Sequence, residues 1–196
     1  MTARAVIFGC KGPRLGADEA AFFRDADPLG FILFARNLDT AEQIRTLTAD
    51  LRESVGRDAP ILIDQEGGRV DRFEQDIVTR FPPALDQAQS HGEIDRAAQV
   101  MGLRAAITAV ELAGLGIDVN CTPVLDLVRD STHPFLANRC LGSTPDRVAR
   151  LGRAMAEAML AEGVLPVIKH MPGHGRSTLD THHALPTLEA SLETLE

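Results

Sequence analysis

Short apolar runs alternate with longer amphipathic ones along this chain. Ala5-Val6-Ile7-Phe8-Gly9-Cys10 reads as a buried strand, residues 17–25 as a helix, and Gly30-Phe31-Ile32-Leu33-Phe34-Ala35 as a second buried strand. Asp39-Thr40 then opens a helix to about Val55, because Ile44, Leu47 and Leu51 recur at the spacing of one helical face and Gly56 supplies a stop. Pro60-Ile61-Leu62-Ile63-Asp64 is a third strand. Residues 67–92, with Pro82-Pro83, form an irregular excursion with short helical pieces. A long helix runs from about Glu93 to Leu115, and Ile117 to Leu127 carries a fourth strand, interrupted or ended near Pro123. After a loop over 128–144, Thr144 as N-cap and Pro145 in the first turn start a helix that Gly163 ends. Pro166-Val167-Ile168-Lys169-His170 is the fifth strand, a Gly- and His-rich loop covers 171–183, and another helix starts at Leu188.

Strands buried on both faces and alternating with helices predict a parallel sheet with helical crossovers. Five such β/α units fit either an open doubly wound sheet or part of a (β/α)8 barrel. The first βα turn, Gly9-Cys10-Lys11-Gly12-Pro13, lacks the GxGxxG spacing of a dinucleotide fold.

Composition narrows the classes. The 196 residues are 44% hydrophobic and 24% charged, which excludes a disordered chain. A net charge of −8 lacks the basic footprint that phosphate contacts need, so nucleic acid is not an expected partner. No apolar run reaches the roughly 18 residues of a membrane span. Cys10, Cys121 and Cys140 form no CxxC pair and no disulfide framework, and with no signal-peptide pattern at the N-terminus the expected compartment is the cytoplasm.

Chemistry in parallel α/β folds gathers at the carboxyl ends of strands. The third strand ends in Asp64-Gln65-Glu66-Gly67-Gly68-Arg69-Val70-Asp71-Arg72, the fourth carries Asp118, Asn120 and Asp126, and the fifth ends in Lys169-His170. Side by side, these strands would turn all those groups into one mouth. Taken singly, Asp64 reads equally as a cap, Arg69 and Arg72 as surface cations, and Asp126 as the holder of a loop backbone. Lys169 stands out, since the chain has two lysines against eighteen arginines. Paired with Asp64 it would donate to a hydroxylated ligand. Four of the six histidines fall between 170 and 183. His170 and His174 have the spacing of a helical metal pair, but Pro172, Gly173 and Gly175 disfavour a helix there. Asp180 and His182 would point the same way in an extended segment, a carboxylate–imidazole pair suited to proton transfer. A single histidine in that loop reads equally as structural.

Ile63-Asp64-Gln65-Glu66-Gly67-Gly68-Arg69-Val70, and Lys169-His170-Met171-Pro172-Gly173-His174-Gly175 through Asp180-Thr181-His182, resemble glycoside hydrolase family 3 in its bacterial β-N-acetylglucosaminidase branch. Phe31 to Asn37, Gly116 to Asn120 with Pro123 to Asp126, and Asn138 to Gly142 support the match in the same order. Met171 stands where the family commonly has phenylalanine. The resemblance implies a (β/α)8 barrel of which residues 1–196 are the N-terminal catalytic part. It implies retaining hydrolysis of terminal β-linked N-acetylglucosamine from muropeptides in cell-wall recycling, with no metal or other cofactor and no membrane partner. By resemblance Asp64, Arg72, Arg139, Lys169 and His170 bind the sugar, His182 is the acid/base, and Asp180 orients it. The family's nucleophile is an aspartate on a later strand, beyond Glu196. Two alternatives follow: a sugar-binding fragment without turnover, or a metal-dependent hydrolase using His170, His174, His182 and Asp180.

Overall fold

A computed structural model describes residues 3–74, 76–180, 183–187 and 191. Five parallel strands, β1 (Arg4–Gly9), β2 (Pro28–Leu33), β3 (Ile61–Ile63), β4 (Val119–Asn120) and β5 (Leu165–Pro166), stand side by side in chain order. Each pairs in parallel with the next, as Phe31 with Ile61, Ile63 with Asn120, and Asn120 with Pro166. A doubly wound sheet would reverse direction at a switch point. This order never reverses, so the winding is that of a (β/α)8 barrel, of which five units are present.

Helices α1 (Ala17–Ala26), α2 (Ala41–Val55), α4 (Ile94–Ala113) and α6 (Pro145–Ala161) are the crossovers. Short helices α3 (Ala84–Gln89) and α5 (Pro134–Ala137) lie in the connections after β3 and β4. Local chemistry explains the clearest boundaries. Thr40 accepts a hydrogen bond from the Gln43 amide, and Gly56 closes α2 in the left-handed region at φ 63°. Thr144 occupies the cap position of α6 as expected, with Pro145 behind it, but its side chain accepts no capping bond.

One core cluster joins Phe23 and Phe31 to Leu33, Ile44, Leu51, Ile61 and Ile117, between the first three strands and α1–α2. A second packs α4 on α6 through Ala97, Met101, Ala105, Leu151 and Met155. Alanines on α4 allow that close approach without strain.

One expectation shifts. Strands one and five are partly exposed: Ile7 is 41% and Leu165 55% accessible. Their apolar runs match buried strands, but each lies at a sheet edge with one strand neighbour. Strand four stops at Asn120, since Pro123 carries no amide for a ladder. Pairing resumes beyond it, with the Leu125 amide donating to the Lys169 carbonyl at 2.7 Å. The helix expected from Leu188 lies outside the described residues.

Candidate active site

The carboxyl ends of β3, β4 and β5 bring one ionic cluster together. The Lys169 ammonium donates to Asp64 Oδ1 at 2.7 Å and to Glu66 Oε1 at 2.5 Å. Asp64 and Glu66 lie two residues apart just past β3, and Lys169 bridges their carboxylates. Asp64 also accepts from Arg72 Nη2 at 3.3 Å. Burial alone would raise the Asp64 pKa, but the adjoining Lys169 and then Arg72 outweigh it and hold the carboxyl below its ordinary value.

Arg139, from the loop after α5, grips Glu66 side-on: Nε donates to Oε2 at 2.9 Å and Nη2 to Oε1 at 2.8 Å. Burial works against the Arg139 charge, yet Glu66 raises its pKa above the ordinary value. Arg139 Nη2 also approaches His170 Nε2 at 3.4 Å. On its other side His170 Nδ1 donates to Asp126 Oδ2 at 2.5 Å. A carboxylate only accepts and a guanidinium only donates, which selects the tautomer with the proton on Nδ1. Asp126 Oδ1 accepts the His174 amide at 2.5 Å, so one carboxylate fixes both the ring and the backbone of the histidine loop. Burial would raise the Asp126 pKa, and these two bonds bring it below the ordinary value instead.

The loop after β5 is seated on the strand-four extension. A Cβ at Gly175 would collide with the Leu127 carbonyl, and Thr132 Oγ1 donates to the Gly175 carbonyl at 2.6 Å. The stretch from Met171 to Gly175 forms no helix, as Pro172 and the glycines predict. Desolvation holds His174 below the ordinary imidazole pKa, and His170 adds to this against Asp126.

Of the expected site residues, Asp64, Arg72, Arg139, Lys169 and His170 meet in this cluster. Asp180 is described: its carbonyl accepts the His183 and Ala184 amides at 3.0 and 3.1 Å. His182 lies outside the described residues. Among the described residues no three His, Cys, Asp or Glu side chains gather as a metal site. Asp118, expected in the mouth, lies elsewhere: it precedes β4 at the amino end, accepts the Ile61 amide at 2.7 Å and pairs with Arg52 at 3.0 Å. Asn120 clamps the Gln65 backbone, accepting its amide and donating to its carbonyl, both at 3.0 Å. Among the described residues Arg69 donates to the Pro134 carbonyl, at 3.4 Å. Glu66 and Asp126 were among the polar groups expected in the mouth but had no sugar-binding or catalytic role assigned to them, and Asp126 does hold a loop backbone, as one reading of it had it. The signal for Glu66 was its place two residues from Asp64, and for Asp126 its place one turn of chain after Pro123.

The sequence matches the glycosyl hydrolase family 3 N terminal domain over residues 14–196. The chain belongs to glycosyl hydrolase family 3. A beta-hexosaminidase of Methylococcus capsulatus is 38% identical over 194 residues, covering 96% of this chain and 55% of that protein. The crystal structure of native NagZ from Neisseria gonorrhoeae superposes with a TM-score of 0.91 at 34% identity, over 98% of this chain and 56% of NagZ. The same NagZ in complex with N-trifluoroacetyl-D-glucosamine gives 0.92 at 34% identity, over 98% and 57%. The chain thus spans about half the length of the family 3 relatives it matches.

Proposed function

We propose that this chain forms the sugar-binding part of a family 3 β-N-acetylglucosaminidase, which removes terminal β-linked N-acetylglucosamine with retention. The observation that carries this reading is the Asp64–Lys169 pair at 2.7 Å, set at the strand ends with Arg72, Arg139 and His170 around it. Carboxylates beside fixed cationic donors suit the mixed donor and acceptor pattern of sugar hydroxyls. The NagZ complex with a glucosamine derivative favours the same sugar class. In this reading Asp64, Arg72, Arg139, Lys169 and His170 bind the sugar, and His182 supplies and removes the proton with Asp180 beside it. Muropeptides in cytoplasmic cell-wall recycling are the natural substrates. The free thiols Cys10, Cys121 and Cys140 agree with a reducing compartment.

A retaining glycosidase also needs a nucleophile. The cluster carboxylates are all engaged: Asp64 by Lys169 and Arg72, Glu66 by Lys169 and Arg139, Asp126 by His170 and the His174 amide. That favours a second reading for the 196 residues alone, sugar binding without turnover, with the nucleophile supplied by a later strand. The test measures both properties. The chain should bind N-acetylglucosamine and not hydrolyse an aryl N-acetylglucosaminide. Failure to bind the sugar removes the first reading, and steady turnover removes the second.

A further inference from the structure

We propose that Glu66 is the positioning residue of this site, the anchor that sets Lys169 and Arg139 where a sugar's hydroxyls would meet them. This rests on the sugar-site reading above and adds a residue that does not itself touch the sugar. The Glu66 side chain is only 4% exposed. Its Oε1 accepts from Lys169 at 2.5 Å and Arg139 Nη2 at 2.8 Å, and its Oε2 accepts from Arg139 Nε at 2.9 Å. Both oxygens are thus occupied by cations, and burial leaves no face for a ligand. Asp64, by contrast, is 21% exposed and keeps one side open.

The two cations need such an anchor. Lys169 lies beyond the edge strand β5 on a flexible four-carbon stem, and Arg139 comes from a loop rather than a strand. Glu66 is itself fixed at its backbone. Its amide donates to the Val70 carbonyl at 3.0 Å, and its carbonyl accepts from Arg104 Nη2. Arg104 is buried on α4 and also donates to the Pro82 carbonyl at 2.8 Å and Gln87 Oε1 at 2.6 Å. A rigid arginine on a core helix therefore holds the main chain of Glu66, and the Glu66 carboxylate holds the two donors that face the mouth.

The test uses the two lysines of the chain. Lys11 is exposed and Lys169 is 13% exposed, so acylation by a water-soluble amine reagent, read peptide by peptide, carries its own reference. Buried Cys10 and Cys140 report whether the fold survives, since thiol reagents reach them only on unfolding. Glu66→Gln should raise the Lys169-to-Lys11 acylation ratio severalfold with both thiols still protected. It should weaken N-acetylglucosamine binding by about tenfold or more, the scale of one charged hydrogen bond lost. If Glu66→Gln unfolds the chain, Glu66→Asp replaces it: the charge remains, but the shorter stem cannot reach both cations, so Lys169 should still be released. An unchanged Lys169-to-Lys11 ratio in a folded Glu66 variant overturns the proposal. If N-acetylglucosamine never slows Lys169 acylation in the wild-type chain, the sugar-site reading fails, while release of Lys169 in the variant still establishes Glu66 as its anchor.

Discussion

At the residue scale the site is a chain of charged and polar groups in which Asp64, Glu66, Lys169, Arg139 and His170 each meet two others, with Arg72 and Asp126 at its ends. Removing one partner of a charged hydrogen bond costs about 1.5–3 kcal/mol, and about 1.4 kcal/mol is a factor of ten in binding. Asp64→Ala should accordingly weaken N-acetylglucosamine binding by about tenfold or more, measured by titration; unchanged affinity would remove Asp64 from the sugar contacts. The lowered pKa values of Asp64 and Asp126 also make a statement about pH. Both carboxyls release their protons more readily folded than unfolded, so their stabilisation is present above the unfolded value near ~3.9 and lost as pH falls through the folded values. Urea midpoints should drop on acidification below about pH 4. Asp126→Asn should be less stable at pH 7 and show a shallower acid limb; an identical acid limb would contradict the linkage. His182 is tested in a longer chain that carries a nucleophile. There His182→Ala should slow cleavage of alcohol leaving groups by ~10²–10⁴ and activated aryl groups much less. Equal slowing of both would mean the proton comes from another group. The pairing of Lys169 with Asp64 was legible in the sequence because a rare lysine ended an apolar run. The Glu66 clamp was not, because Arg139 reaches it from a loop 73 positions away.

At the element scale, strand ends and one loop carry the chemistry, and helices fix their spacing. The histidine loop is seated by a backbone contact that tolerates no side chain at Gly175, where a Cβ would run into the Leu127 carbonyl. Gly175→Ala should therefore displace the loop that carries His170 and His174. We expect weaker N-acetylglucosamine binding and a lowered thermal midpoint, since the loop also packs on a small core cluster through the His174 ring, 5.2 Å from that of Phe135. Normal binding in Gly175→Ala would show that the loop seat does not matter to the site. The helices α2 and α6 were readable from apolar spacing and from Thr40, Gly56 and Pro145, all of which act within one turn of chain. Strand four was harder to bound, because Pro123 breaks the ladder while pairing resumes at Leu125 through a partner in strand five.

At the scale of the whole molecule, five parallel strands leave β1 and β5 with one strand neighbour each. Leu165 is 55% and Ile168 54% exposed beside that open edge. Unpaired edges with apolar side chains favour association. The 196-residue chain should show a mass that rises with concentration in analytical ultracentrifugation, and a broad thermal transition. A monodisperse monomer with a sharp, reversible transition would count against this.

The sequence by itself determined the alternation of strands and helices, the polar character of the strand ends, and the pairing of Lys169 with Asp64. Each follows from local periodicity or from a residue type that is costly to bury without a partner. Periodicity left an open doubly wound sheet and a barrel winding equally open, and the motif resemblance pointed to the barrel; the strand order itself came only with the tertiary structure, because it depends on which segments meet across the sheet. The tertiary structure also sent Asp118 to the opposite end of the strand from Asp126, and exposed the apolar runs of β1 and β5. An apolar run records that a strand can be buried; whether it is buried depends on the neighbours the fold places beside it.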